Sequence, residues 1–169
     1  CPNPRSDRWG SPSGRLQVLS GFSYVSSDHL RPLFIRLSRN LLKFLEFRLP
    51  RLDSSHFVEW DPRHYNSFAD HAANVVLDLQ QDWSCPDLEA IDQAKRANHN
   101  IRLSVDGAKR GDGSSAGGLA ITAFPPSGEQ ILLCRAGCKF GILHSAFEAE
   151  LLALDWGMDF FTNLLYTGL

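Results

Sequence analysis

The feature that most constrains this chain lies between residues 101 and 162, where three runs with an apolar period of two give way to a helical period. In "IRLSVDGA" (101–108), Ile101, Leu103 and Val105 alternate with Arg102, Ser104 and Asp106. "GGLAITAF" and "QILLCRA" read as two further strands, joined through Pro125-Pro126-Ser127-Gly128 as a hairpin. Alternation sends successive side chains to opposite faces, so such a sheet needs apolar cover. A helix supplies it. Ser145 with Glu148 three residues on forms a capping box, and Phe147, Leu151, Leu154 and Met158 make an apolar stripe. Beside that stripe run Ala146, Glu150, Ala153 and Gly157, small enough to let the backbone approach a sheet, with Glu150 in their midst. The Gly/Ser-rich stretch 107–116 reads as a loop.

The first part of the chain mixes the same two periods. Residues 1–14, "CPNPRSDRWGSPSG", read as a flexible lead-in, and 15–25 as a short strand. From Asp28, a plausible N-cap, Leu30, Phe34, Leu37, Leu41 and Phe44/Leu45 recur at helical spacing, with Pro32 early enough to be tolerated. Arg36, Arg39 and Lys43 fall off this stripe and form a basic face. "SSHFVEW" (54–60) alternates like a strand and stops at Asp61-Pro62. A second helix is predicted from about Ser67 to Asp82, with Phe68, Ala72, Val75/Val76 and Leu79 inward. Residues 84–100 are polar after a proline break and read as a linker with one helical turn.

At 169 residues the chain is large enough for one core that needs no covalent staples. Cys1, Cys85, Cys134 and Cys138 show no repeated spacing; "CRAGC" lacks a second ligand pair for zinc and reads as strand with incidental thiols. With no signal peptide and no apolar run near the ~20 residues that span a bilayer, the expected location is intracellular, cytoplasmic or nuclear. The initial Cys1 suggests a piece of a longer chain. Charge is unevenly spread: residues 1–63 carry 10 Lys/Arg against 6 Asp/Glu, whereas 64–169 carry 7 against 13. A basic region beside an acidic one suits a phosphate-binding surface next to a carboxylate site.

"VDGA…AGGLAI", a hairpin and "EAELLAL" resemble the opening half of a type 1 ribonuclease H. "LSGFSYV", the "LRPLFIRL" helix, "HFVEWDPRHYN" and "FADHAANVVLD" resemble its closing half, yet precede it. The resemblance covers most of 15–83 and 101–162. It implies an α/β, ribonuclease H-like fold in permuted order, with a mixed sheet of antiparallel hairpin strands plus parallel strands flanked by helices. Residues 15–83 would be the closing half, 84–100 the linker and 101–169 the opening half. Two half-domains from a retroelement-type tandem are the alternative.

The resemblance further implies Mg²⁺- or Mn²⁺-dependent cleavage of the RNA strand of an RNA–DNA hybrid, with Asp106, Glu150 and Asp70 as metal ligands and catalytic residues. Asn66, four residues before Asp70, and the basic Arg36, Arg39 and Lys43 would contact hybrid or duplex nucleic acid. Neighbouring domains of a longer chain are further expected partners. Each acid also has a plain reading: Asp106 before Gly107 as a turn residue, and Glu150 and Asp70 as solvated helix charges. Their joint placement singles them out. The chain departs from the family twice, since Phe22 stands where a fourth carboxylate is expected and Trp60 where a His is frequent. Phe22 cannot ligate a metal, which predicts weak cation binding and impaired hydrolysis; a catalytically inactive nucleic-acid-binding or structural domain is the alternative. "RGD" at 110–112 also matches an adhesion triplet, too short to carry weight.

Overall fold

In the computed structural model the chain forms two compact units, Cys1–Asp61 and Pro62–Leu169, and the described residues are 31–33, 35–37, 39 and 66–167. In the first unit the described residues are helical, as the period around Leu37 predicts. Leu37 is fully buried, while Arg36 and Arg39 are exposed. The expected strands at 15–25 and 54–60, along with Phe22, Lys43 and Trp60, lie outside the described residues.

The second unit is an α/β arrangement, a four-stranded antiparallel sheet flanked by helices. Its elements are α1 (Ser67–Leu79), β1 (Trp83–Pro86), α2 (Leu88–Arg96), β2 (Asn100–Lys109), β3 (Ser114–Phe124), β4 (Ile131–Ile142) and α3 (Ala146–Thr162), which continues into a π-helical turn, Asn163–Thr167. The strands lie in the order β1-β4-β3-β2. Every pairing among the described residues is antiparallel, so the parallel pairs expected of a mixed sheet are not among them.

β3 is the central strand, buried along ten of its eleven positions because both faces are covered. Its successive residues Gly117 and Gly118 identify which helix covers which face. A Cβ on Gly118 would lie 2.1 Å from the Ala69 carbonyl oxygen of α1. One on Gly117 would lie 3.2 Å from the α-carbon of Ala153 in α3. Adjacent strand residues point to opposite faces, so α1 and α3 sandwich the sheet.

This close approach corrects part of each predicted helix face, although Ala72 and Val76 of α1 are buried as predicted. α1 buries Ala69, Ala72, Ala73, Val76 and Leu77; Phe68 and Leu79, expected inside, are 43% and 56% exposed. A helix resting on Gly118 and Gly137 has room for alanines at the contact, and the bulky residues rotate outward. In α3, Ala153 and Gly157 of the expected small stripe face the sheet together with Ala149, while Ala146 and Glu150 are exposed; Leu151 and Met158 are buried as expected, and Phe147 is 55% exposed. The capping box forms: the Glu148 N–H donates to the Ser145 hydroxyl at 3.1 Å, and the Glu148 carboxylate accepts from the His144 N–H.

Two segments carry more structure than their composition suggests. The predicted loop 107–116 shrinks to 110–113, because β2 runs to Lys109 and β3 begins at Ser114. The polar stretch 84–100 contains β1, paired with Cys134–Gly137, and the nine-residue α2. Asp87 caps α2 by accepting from the Ala90 N–H at 2.9 Å, and Ile91 and Ala94 are buried. The hairpin at 125–130 falls where Pro125-Pro126-Ser127-Gly128 predicts it, with Gly128 at φ +83°.

Candidate functional site

Asp106 sits inside β2, three residues before its end, opposite Gly118 of β3. It is half-buried, in a strand and not in the turn that Asp-Gly commonly marks. Pairing with Gly118 puts its side chain on the α1 face. There α1 begins at Asn66, the N-cap, whose side chain makes no capping bond. Its amide Nδ2 instead donates to the Val105 carbonyl at 2.8 Å and reaches Asp106 Oδ1 at 3.5 Å, the second contact lying at the outer limit of a hydrogen bond. An uncapped helix start forgoes about 1 kcal/mol, so the long-range link outweighs the local one.

Asp70 lies one turn into α1, half-buried, with its N–H donating to the Asn66 carbonyl at 3.1 Å. Asn74 returns an amide N–H to the Asp70 carbonyl at 2.9 Å. Asp70 therefore joins Asp106 through Asn66, although 36 residues separate the two acids in sequence. Glu150 arrives from the other helix. Its Oε2 accepts the Gly107 N–H at 3.1 Å, and a Cβ on Gly107 would lie 2.3 Å from the Glu150 backbone nitrogen. β2 is the outermost described strand on this side, so a backbone donor of that strand is met by a carboxylate.

Asp106 and Glu150 thus meet adjacent residues of one strand, with Asn66 beside Asp106, and Asp70 follows one turn into the helix that Asn66 starts. As oxygen donors the three acids suit Mg²⁺ in kind. They do not suit it in arrangement: among the described residues no three His, Cys, Asp or Glu side chains form a group able to hold a metal ion. Asp106 faces α1, whereas Glu150 reaches the strand from α3. Arg36 and Arg39 belong to the first unit and are exposed.

The sequence missed two contributors. Gly107 was taken for a turn residue, yet an isolated Gly within an alternating run signals close backbone approach. Arg110 was part of the "RGD" triplet; its guanidinium donates to the Leu77 carbonyl at 3.0 Å and pairs with Asp78, clamping the C-terminal turn of α1. Asp112 accepts from the Ser114 hydroxyl at 2.6 Å and the Ser114 N–H at 2.9 Å, bonds that hold its carboxyl below the usual carboxylate range. Both charged arms of the triplet are therefore engaged within the unit.

Cys85, Cys134 and Cys138 are free thiols. Burial pushes the Cys134 thiol up to about 11. Burial, then the nearby Asp82 carboxylate, pushes Cys138 to about 11 as well. No described helix is long and apolar enough to cross a membrane. The chain matches no protein-family model, no curated protein and no solved structure.

Proposed function

We propose that this chain is a ribonuclease H-like domain in permuted order that binds RNA–DNA hybrid, with RNA-strand hydrolysis slow or undetectable. The observation that carries the reading is the Asn66 link, which joins the helix of the "closing" segment to Val105 and Asp106 of the "opening" strand. Two unrelated half-domains have no reason to meet at the residue pair that the resemblance singles out. An A-form-like hybrid is gripped through phosphates and 2′-hydroxyls, without base reading. Arg36, Arg39 and Lys43 supply cations for the phosphates, so affinity falls steeply with salt.

In the resemblance, Asp106, Asp70 and Glu150 would hold Mg²⁺ or Mn²⁺, which lowers the pKa of a bound water and neutralises charge at the phosphate. In the same resemblance Phe22 stands where a fourth oxygen ligand is expected, and the described acids are not gathered around one point. No hydrolytic step is assigned to them. That same observation favours a second reading, an inactive nucleic-acid-binding or packing domain of a retroelement-type polyprotein.

The test uses a labelled hybrid with Mg²⁺ or Mn²⁺ and compares the parent, Phe22→Asp and Phe22→Asp/Glu150→Gln. Binding by the parent that weakens with salt, with little cleavage, is expected; Phe22→Asp raises cleavage and the second substitution removes the gain. No hybrid binding by the parent would overturn the proposal. A folded Phe22→Asp that binds but cleaves nothing would instead favour the inactive binder.

A further inference from the structure

The acids around β2 do something in the protein without a cation. Glu150 answers a strand-edge N–H, and Asp106 lies against the amide that starts α1. The two contacts come from the two helices on opposite faces of the sheet and converge on adjacent strand residues, 106 and 107. At Gly107 the α3 backbone leaves no room even for a methyl group, so α3 runs close against the strand there and brings Glu150 within reach of the Gly107 N–H.

We infer that Glu150 is a structural acceptor that latches α3 to β2, as Asn66 latches α1 to β2 through the Val105 carbonyl with Asp106 beside it, and that this corner forms without a divalent cation. Metal ligands held only by mutual repulsion would behave otherwise: removing one charge would relieve the cation-free protein, and adding a cation would stabilise it. The latch stands apart from the hybrid-binding reading and is tested without nucleic acid.

The experiment follows thermal unfolding of the full chain in EDTA and in millimolar Mn²⁺, for the parent, Glu150→Gln, Glu150→Ala and Asp106→Asn. Gln and Asn keep an acceptor oxygen and lose the charge. The expected result is a parent Tm that Mn²⁺ leaves unchanged, with Gln and Asn close to the parent. Glu150→Ala, which strands the Gly107 N–H, should fall by about 3–8 °C. Two outcomes overturn the inference: an Mn²⁺-dependent rise in the parent that Gln or Asn abolishes, or Glu150→Ala melting with Glu150→Gln. Hybrid binding measured on the same samples reports separately on the proposed function.

Discussion

Glycines that look alike in the sequence behave differently under substitution. Gly118 supports α1: an added Cβ meets the Ala69 carbonyl oxygen at 2.1 Å and the Ala73 nitrogen at 2.4 Å. Both obstacles are backbone, so the helix itself must move. Gly111, in the 110–113 turn, has nothing within 4 Å of such a Cβ and no positive φ. Gly118→Ala is expected to cost at least ~2–3 kcal/mol, whereas Gly111→Ala should lie between neutral and a gain of ~1 kcal/mol through the unfolded chain. Urea unfolding of the two variants checks this; a Gly118→Ala as stable as the parent would contradict the close packing of α1.

At the scale of elements, α1 is held at both ends by long-range side-chain bonds, its own N-cap Asn66 reaching to β2 and Arg110 reaching from just beyond β2. Arg110 is cationic at a helix C-terminus, where the dipole favours it, but the pair is solvent-accessible at 44% and 67% side-chain exposure, so salt screens it. Arg110→Ala is expected to destabilise by about 0.5–1.5 kcal/mol, with the charge-dependent part fading in high salt while the bond to the Leu77 carbonyl persists. Denaturation at low and high salt measures both parts; identical losses would mean the pairing with Asp78 contributes nothing.

These elements also mark how far the sequence could be read. The α3 cap was legible because a capping box is local, and the 125–130 hairpin because turn chemistry is local. Which side of α1 lies inward was not, since glycines on strands forty to seventy residues away decide it. α2 escaped because its polar composition masked the Leu88, Ile91, Ala94 spacing and the Asp87 cap. The acids Asp106, Asp70 and Glu150 were legible through their resemblance to a family's motifs, but Asn66's forgone cap is visible only in three dimensions.

For the whole molecule, the two raised thiols connect folding to pH. A thiol whose folded pKa exceeds its unfolded value of 9.0 keeps its proton longer in the native state, so the native state binds more protons between the two values. Stability is therefore fully present below pH 9 and is lost as pH rises through about 11 for Cys134 and Cys138. Unfolding free energy measured from pH 8 to 11 should decline, and Cys138→Ser should show a shallower decline whatever its stability at pH 8. An unaltered slope would show that other groups carry the dependence. The uneven charge has a separate effect: residues 64–169 repel polyanions, whereas residues 1–63 attract them.

β1 bears on how such chains coexist in a crowded solution. It is only four residues long, it forms one margin of the described sheet, and its last residue is Pro86. An imide nitrogen has no hydrogen to offer, and so short a strand presents few backbone groups in a row. That margin is therefore a poor template for a strand from another molecule. β1 thus guards against edge-to-edge aggregation at the middle of β4, whose Cys134–Gly137 would otherwise lie open to a strand from another chain.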